Sequence, residues 1–162
     1  MDCSKNNNIT NINYSPYSPS NPTNKYPKTT ARDMVRIMMN RLQRNNKLNS
    51  GIASAFYLAS PENKANTGPY YRFVRMMNND IYKHLLNNFD WWFDEESEMI
   101  TPDGKYSIIV NVNSRFECDL FRYKFTLSRQ IAFDAPKWDF YTRKILNYDW
   151  RTESILPVYN KK

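Results

Sequence analysis

Apolar residues in this chain change their spacing once, and the change falls near Phe89. Before it, Met34, Ile37, Met38 and Leu42 recur at three- and four-residue intervals, which gathers side chains on one face of an α-helix. After it, Tyr106, Ile108, Val110 and Val112 alternate with polar residues, as do Phe121, Tyr123, Phe125 and Leu127, and a period of two belongs to strands. Helices followed by strands, rather than helices between strands, imply an α+β fold: N-terminal helices packed on a curved antiparallel sheet.

Turn and cap residues divide these regions into elements. Thr30 followed three residues later by Asp33 reads as a capping box opening a first helix, which runs to near Asn46. A second helix covers Ile52 to about Ala59, because Pro61 disfavours α geometry in Ser60. Ser60 then caps a short turn in which Pro61 takes a first-turn position, and Thr67, Gly68 and Pro69 end that turn and aim a third helix. Tyr70, Phe73, Met76 or Met77, Ile81, Leu85 and Leu86 mark that helix's apolar face. Ser60, Pro61, Thr67, Gly68 and Pro69 thus form a structural corner, with capping work to do before any chemistry is invoked.

Among the strands, "FDWWFDEESEMI" turns through Thr101-Pro102-Asp103-Gly104 into "KYSIIVNVNS", a hairpin with an acidic outer arm. In "RFECDLFRYKFTLSRQ" the apolar residues change phase, which places a bulge or bend near Leu120-Phe121. Residues 131–147 form an irregular insertion, and "YDWRTESILPVY" supplies a last strand. Residues 1–28, rich in Asn, Ser and Pro, bury too little to offset their ordering entropy and read as a disordered leader to a domain spanning 29–160.

"ASPENKANTGPYYRFVRMMN", the strand "YKFTLSRQ" and the terminal "WRTESILP" together resemble a family of uncharacterised NTF2-like (cystatin-like) proteins, a domain-of-unknown-function group with Ala-Ser-Pro in its second helix and a closing Trp-containing strand. The likeness covers roughly Asp33 to Val158. It implies a cone in which a strongly curved sheet wraps a long helix and leaves a pocket at the wide end. It supplies no catalytic residues. On that architecture Tyr57, Phe73, Met77, Tyr123, Phe125 and Trp150 are the expected walls, with Arg72 and Gln130 the polar groups inside or at the mouth, since a buried Arg needs a partner or a ligand.

Composition limits the chemistry. Three glycines exclude a Gly-rich phosphate cradle, two cysteines show no metal spacing, and no Gly-x-Ser-x-Gly elbow occurs, so no metal or cofactor is expected. His84, the single histidine, falls where a third helix would end and reads as a packing or capping residue. No Asp lies on an inner strand face, Asp119 and Asp134 falling at the suspected bend and in the insertion. A pocket enzyme of the isomerase or hydrolase type therefore stands only as an alternative.

The net charge of +7 is uneven: residues 1–50 hold 8 basic and 2 acidic side chains, whereas residues 88–104 hold 6 acidic and none basic. Arg32, Arg36, Arg41, Arg44 and Lys47, with Arg122, Lys124 and Arg129 on the sheet and Tyr123 or Trp138 for stacking, could track a nucleic-acid backbone. A solvated face explains the same pattern more economically. The leading expectation is a non-enzymatic binding or assembly module, self-associating through the sheet or receiving a protein or small-molecule partner. No apolar run is long enough for a membrane span, and an intracellular, cytoplasmic location is expected. Heavy use of Asn, Lys, Ile and Tyr fits an AT-rich genome, with a large DNA virus, and hence a virion component, or a protist as the expected source.

Overall fold

A computed structural model describes residues 29–130, 137–139, 144–146 and 150–159. The 1–28 leader and most of the 131–147 insertion, including Asp134 and the side chain of Trp138, lie outside them. The fold is α+β. Four helices, α1 (Ala31–Gln43), α2 (Ser50–Tyr57), α3 (Pro61–Thr67) and α4 (Tyr70–Met77), precede a 3-10 turn at Lys83–Leu85. Strands β1 (Asp90–Ile100), β2 (Tyr106–Asn113), β3 (Leu120–Arg129) and β6 (Trp150–Pro157) make one antiparallel sheet in the order β1-β2-β3-β6, while β4 (Lys137–Asp139) and β5 (Lys144–Leu146) pair separately.

The capping box opens α1 as its residue types require. The Thr30 side chain accepts from the Asp33 N–H, and the Asp33 carboxylate accepts from the Thr30 N–H, satisfying donors that helix geometry leaves unpaired. Met34, Met38, Met39 and Leu42 are completely buried on the face that meets the sheet. Each such burial is worth about 1.5–3 kcal/mol in transfer free energy. Gly51 lets α2 lie against α1, since its backbone approaches the carbonyl of Arg41 too closely for a side chain.

α3 is a full short helix, with Pro61 in its first turn, the Ser60 side chain accepting from the Asn63 N–H, and Gly68 at φ 82° as its C-cap. The expected long third helix is corrected, because α4 stops at Met77. Asn79 Oδ1 accepts from the N–H groups of Ile81 and Tyr82, and Asn78 Nδ2 donates to the Val74 carbonyl, so side chains take over hydrogen bonds that a continuing helix would need. Ile81 is consequently exposed, whereas Leu85 and Leu86 reach the core through the 3-10 turn.

In the sheet, Tyr106, Ile108, Val110 and Val112 of β2 and Tyr123, Phe125 and Leu127 of β3 turn one face inward onto the helices. The expected bend at Leu120-Phe121 is replaced by a loop, residues 114–119, after which β3 begins cleanly at Leu120. The register shifts lie elsewhere, between Asp94 and Met99 of β1 and between Thr126 and Leu127 of β3. In the first, Ser97 fills the break: its Oγ accepts from the Ile109 N–H and donates to the Asp94 carbonyl. β6 ties the two halves of the chain together, the Ser60 N–H donating to the Thr152 carbonyl and the Thr152 N–H to the Leu58 carbonyl.

Candidate functional site

The eight residues expected around a pocket occupy four different settings. Phe73, Met77, Tyr123 and Phe125 belong to the buried core cluster, each no more than 4% exposed. Tyr123 sends its hydroxyl to the Ile81 carbonyl at 2.5 Å, and burial raises its pKa. It is therefore closed to stacking with a base, which removes it from the nucleic-acid set. Trp150 packs at the edge of the core, 6.3 Å from the Tyr106 ring. Tyr57 and Arg72 are at the surface, and Arg72 lies over Gly68.

Gln130 sits in a polar cluster built around Glu153. Ser60 Oγ donates to Glu153 Oε2 at 2.8 Å, Ser128 Oγ donates to Oε1, and Gln130 Nε2 donates to Ser128 Oγ at 2.7 Å. Asn63 Nδ2 adds a bond to the Thr152 carbonyl at 2.9 Å. The cluster joins the α3 N-terminus to β3 and β6. A Ser–Glu pair resembles the start of a nucleophilic relay, but Ser60 is 1% exposed and its oxygen already accepts from the Asn63 N–H. The pair works as a tie between helix corner and sheet. Glu153 and Ser128 were hidden in the sequence because they lie 93 and 68 positions from Ser60, with no local spacing rule to link them.

A second polar group surrounds His84, which is 2% exposed. Its ring stacks on Phe121 with centroids 3.6 Å apart, and Nδ1 is 2.8 Å from Ser114 Oγ. That oxygen also accepts from the N–H groups of Phe116 and Glu117, which directs its own proton at Nδ1. Burial lowers the His84 pKa, opposed in part by Glu117, whose carboxylate is 3.8 Å from Nε2. His84 packs and latches the loop after β2, and so little of it meets solvent that a substrate has no approach.

The charged poles meet each other. Arg32 Nη1 donates to Glu95 Oε2 at 2.7 Å and to Glu98 Oε2 at 2.6 Å, its guanidinium lies 4.4 Å over the Phe93 ring, and these carboxylates raise its pKa. Tyr106 completes the group by donating its hydroxyl to Glu98 at 2.7 Å. Arg36 pairs with Asp33, and Arg122 with Asp94 at 2.6 Å. Three of the eight cations expected to track a phosphate backbone are thus held by this chain's own carboxylates, and of the other five Arg44, Lys47 and Arg129 are exposed.

The sheet's second face is the remaining candidate. Register places Trp92, Asn111 and Arg122 in one row across it, and Asp94, Ile109, Lys124 and Leu156 in the next, with Leu120 beside Asn113. Trp92 is 42% exposed, Leu120 51% and Leu156 53%. Among the described residues, no group of three or more His, Cys, Asp or Glu side chains could hold a metal ion, and no helix is long and apolar enough to cross a membrane. No protein-family model, curated protein or solved structure matches the chain.

Proposed function

We propose that this chain is a noncatalytic association module on an NTF2-like cone, and that two copies meet through the outer faces of their sheets. One observation carries the reading: the inner sheet face is spent on the core, while the outer face keeps Trp92, Leu120 and Leu156 largely in solvent. Large apolar side chains left on an exposed face gain by being covered, and aromatic residues are enriched where proteins associate. The cone is supported by the order of elements and by the two register shifts, since bulges bend strands. The buried Phe73, Met77, Tyr123 and Phe125 support a filled cone and weigh against small-molecule chemistry.

Light scattering on the purified chain tests this. The wild type is expected to run as a dimer, and a Trp92→Lys, Leu156→Lys variant as a monomer with an unchanged far-ultraviolet spectrum and melting profile. A wild type that stays monomeric at high concentration, or a dimer indifferent to these substitutions, overturns the reading.

A further inference from the structure

The helical layer carries a charge pattern that the sheet does not. From Met34 to Asn79 the chain holds seven cations, Arg36, Arg41, Arg44, Lys47, Lys64, Arg72 and Arg75, and one carboxylate, Glu62. Glu95 and Glu98 of β1 pair with Arg32, Asp94 with Arg122, and Asp33 with Arg36, and Lys47, Arg72 and Arg75 stand outside these pairs.

Exposed aromatic rings alternate with these cations around the end of α2 and along α4. Tyr57 is 48% exposed at the end of α2, with the Arg151 guanidinium 5.7 Å from its ring and Lys64 Nζ 5.8 Å away. Lys64 also lies 5.6 Å over Phe56, whose ring is 5.5 Å from that of Tyr70. The Tyr70 hydroxyl donates to the Asn49 carbonyl at 3.5 Å, which brings the start of α4 beside the α1–α2 loop with Lys47 and the 86%-exposed Leu48. On α4, Tyr71 is 71% exposed, and Arg75 follows it by four residues on the same helical face.

We propose that this corner, formed by the end of α2, the α1–α2 loop and α4, binds single-stranded nucleic acid. Tyr57 and Tyr71 serve as stacking platforms, and Lys47, Arg72 and Arg75 face the phosphate backbone. The chemistry favours this occupant because a single strand presents a regular row of phosphates and unstacked bases together, and interleaved cations and aromatic rings meet both. An acidic peptide would use the cations and leave the rings idle. The site is distinct from the sheet face proposed for self-association, and it differs from a surface on α1 and β3, where Arg32, Arg36 and Arg122 are already paired.

The test is fluorescence anisotropy with a labelled oligothymidylate and the full chain across a salt series. Binding is expected at low salt, weakening steeply as salt rises, because counterions released from phosphates return. Tyr57→Ala with Tyr71→Ala should weaken binding about thirtyfold or more while leaving the salt slope unchanged. Arg72→Gln with Arg75→Gln should lower the slope by about 0.7 for each phosphate that the variant no longer neutralises. All four side chains are exposed or at the surface, so matching melting profiles keep folding out of the comparison. Absence of binding at low salt overturns the proposal, as does binding indifferent to these four substitutions. Equal binding of heparin or anionic lipid vesicles, with the tyrosine variant inert, overturns it as well, since that result describes a generic polyanion surface.

Discussion

A methyl group at position 51 would stand 2.3 Å from the carbonyl oxygen of Arg41 and 3.1 Å from Cβ of Asn45. Backbone cannot move aside as a flexible side chain can, so Gly51→Ala must push α2 away from α1. The expected cost is about 2–3 kcal/mol, read from urea unfolding, because overpacking between well-fitted elements falls in that range. His84 makes a prediction of the opposite kind, in charge rather than volume. Its folded pKa is lowered from 6.5, so above that pH the folded and unfolded chains are both neutral there and no stability is lost. As pH falls through 6.5 the unfolded chain takes a proton that the buried ring resists, and stability declines until the folded pKa is reached. The urea midpoint should therefore drop as pH falls through 6.5, and His84→Asn, which keeps an acceptor for Ser114, should flatten that drop. A midpoint that rises on acidification would show that Glu117 dominates over burial.

At the scale of elements, two N-caps of similar sequence differ in what else they hold. Thr30 caps α1 near solvent, and Thr30→Ala should cost about 1 kcal/mol. Ser60 caps α3 while donating to Glu153, so Ser60→Ala removes a cap and a charge-assisted bond at a buried position. About 2–3 kcal/mol is expected, and a double-mutant cycle with Glu153→Gln should show coupling between the two positions. Additivity within error would mean that the helix corner and β6 are joined by backbone bonds alone. Both caps were legible because Ser or Thr before a helix is a local signal, whereas Glu153 was not, its role being fixed by a sheet register that closes over distance. The end of α4 was misread for a related reason: apolar spacing continued through Leu86, but Asn78 and Asn79 diverted backbone hydrogen bonds to their own side chains.

For the whole molecule, β6 decides whether the helices and the sheet form one unit. It pairs with β3 along its length, bonds through Thr152 to Leu58 and Ser60, and receives the Tyr82 hydroxyl at the Ile155 carbonyl. A chain truncated after Gln130 would leave β3 as a bare edge and strip the helix corner of its backbone partners. It should lose cooperative thermal unfolding and bind a hydrophobic dye, as expanded states with fluctuating packing do. A truncated chain that still melts cooperatively would show that the three-stranded meander suffices. The Arg32 fork on Glu95 and Glu98 works at the same scale, pinning the interrupted middle of β1 to the first helix.

The sequence by itself determined the α+β class, the capping of α1 and α3, the Pro61 and Gly68 corner and the inward faces of β2 and β3. Each depends on residues within a few positions of one another, where helical period, strand alternation and turn geometry act. Only the tertiary structure decided which groups spend one another. It set Arg32 against the acidic strand, buried His84 between Ser114 and Phe121, drew Glu153 to Ser60, and left Tyr57, Tyr71 and the α4 cations facing solvent. Such pairings are made by chain segments brought together across tens of residues, and no local period encodes which segment arrives.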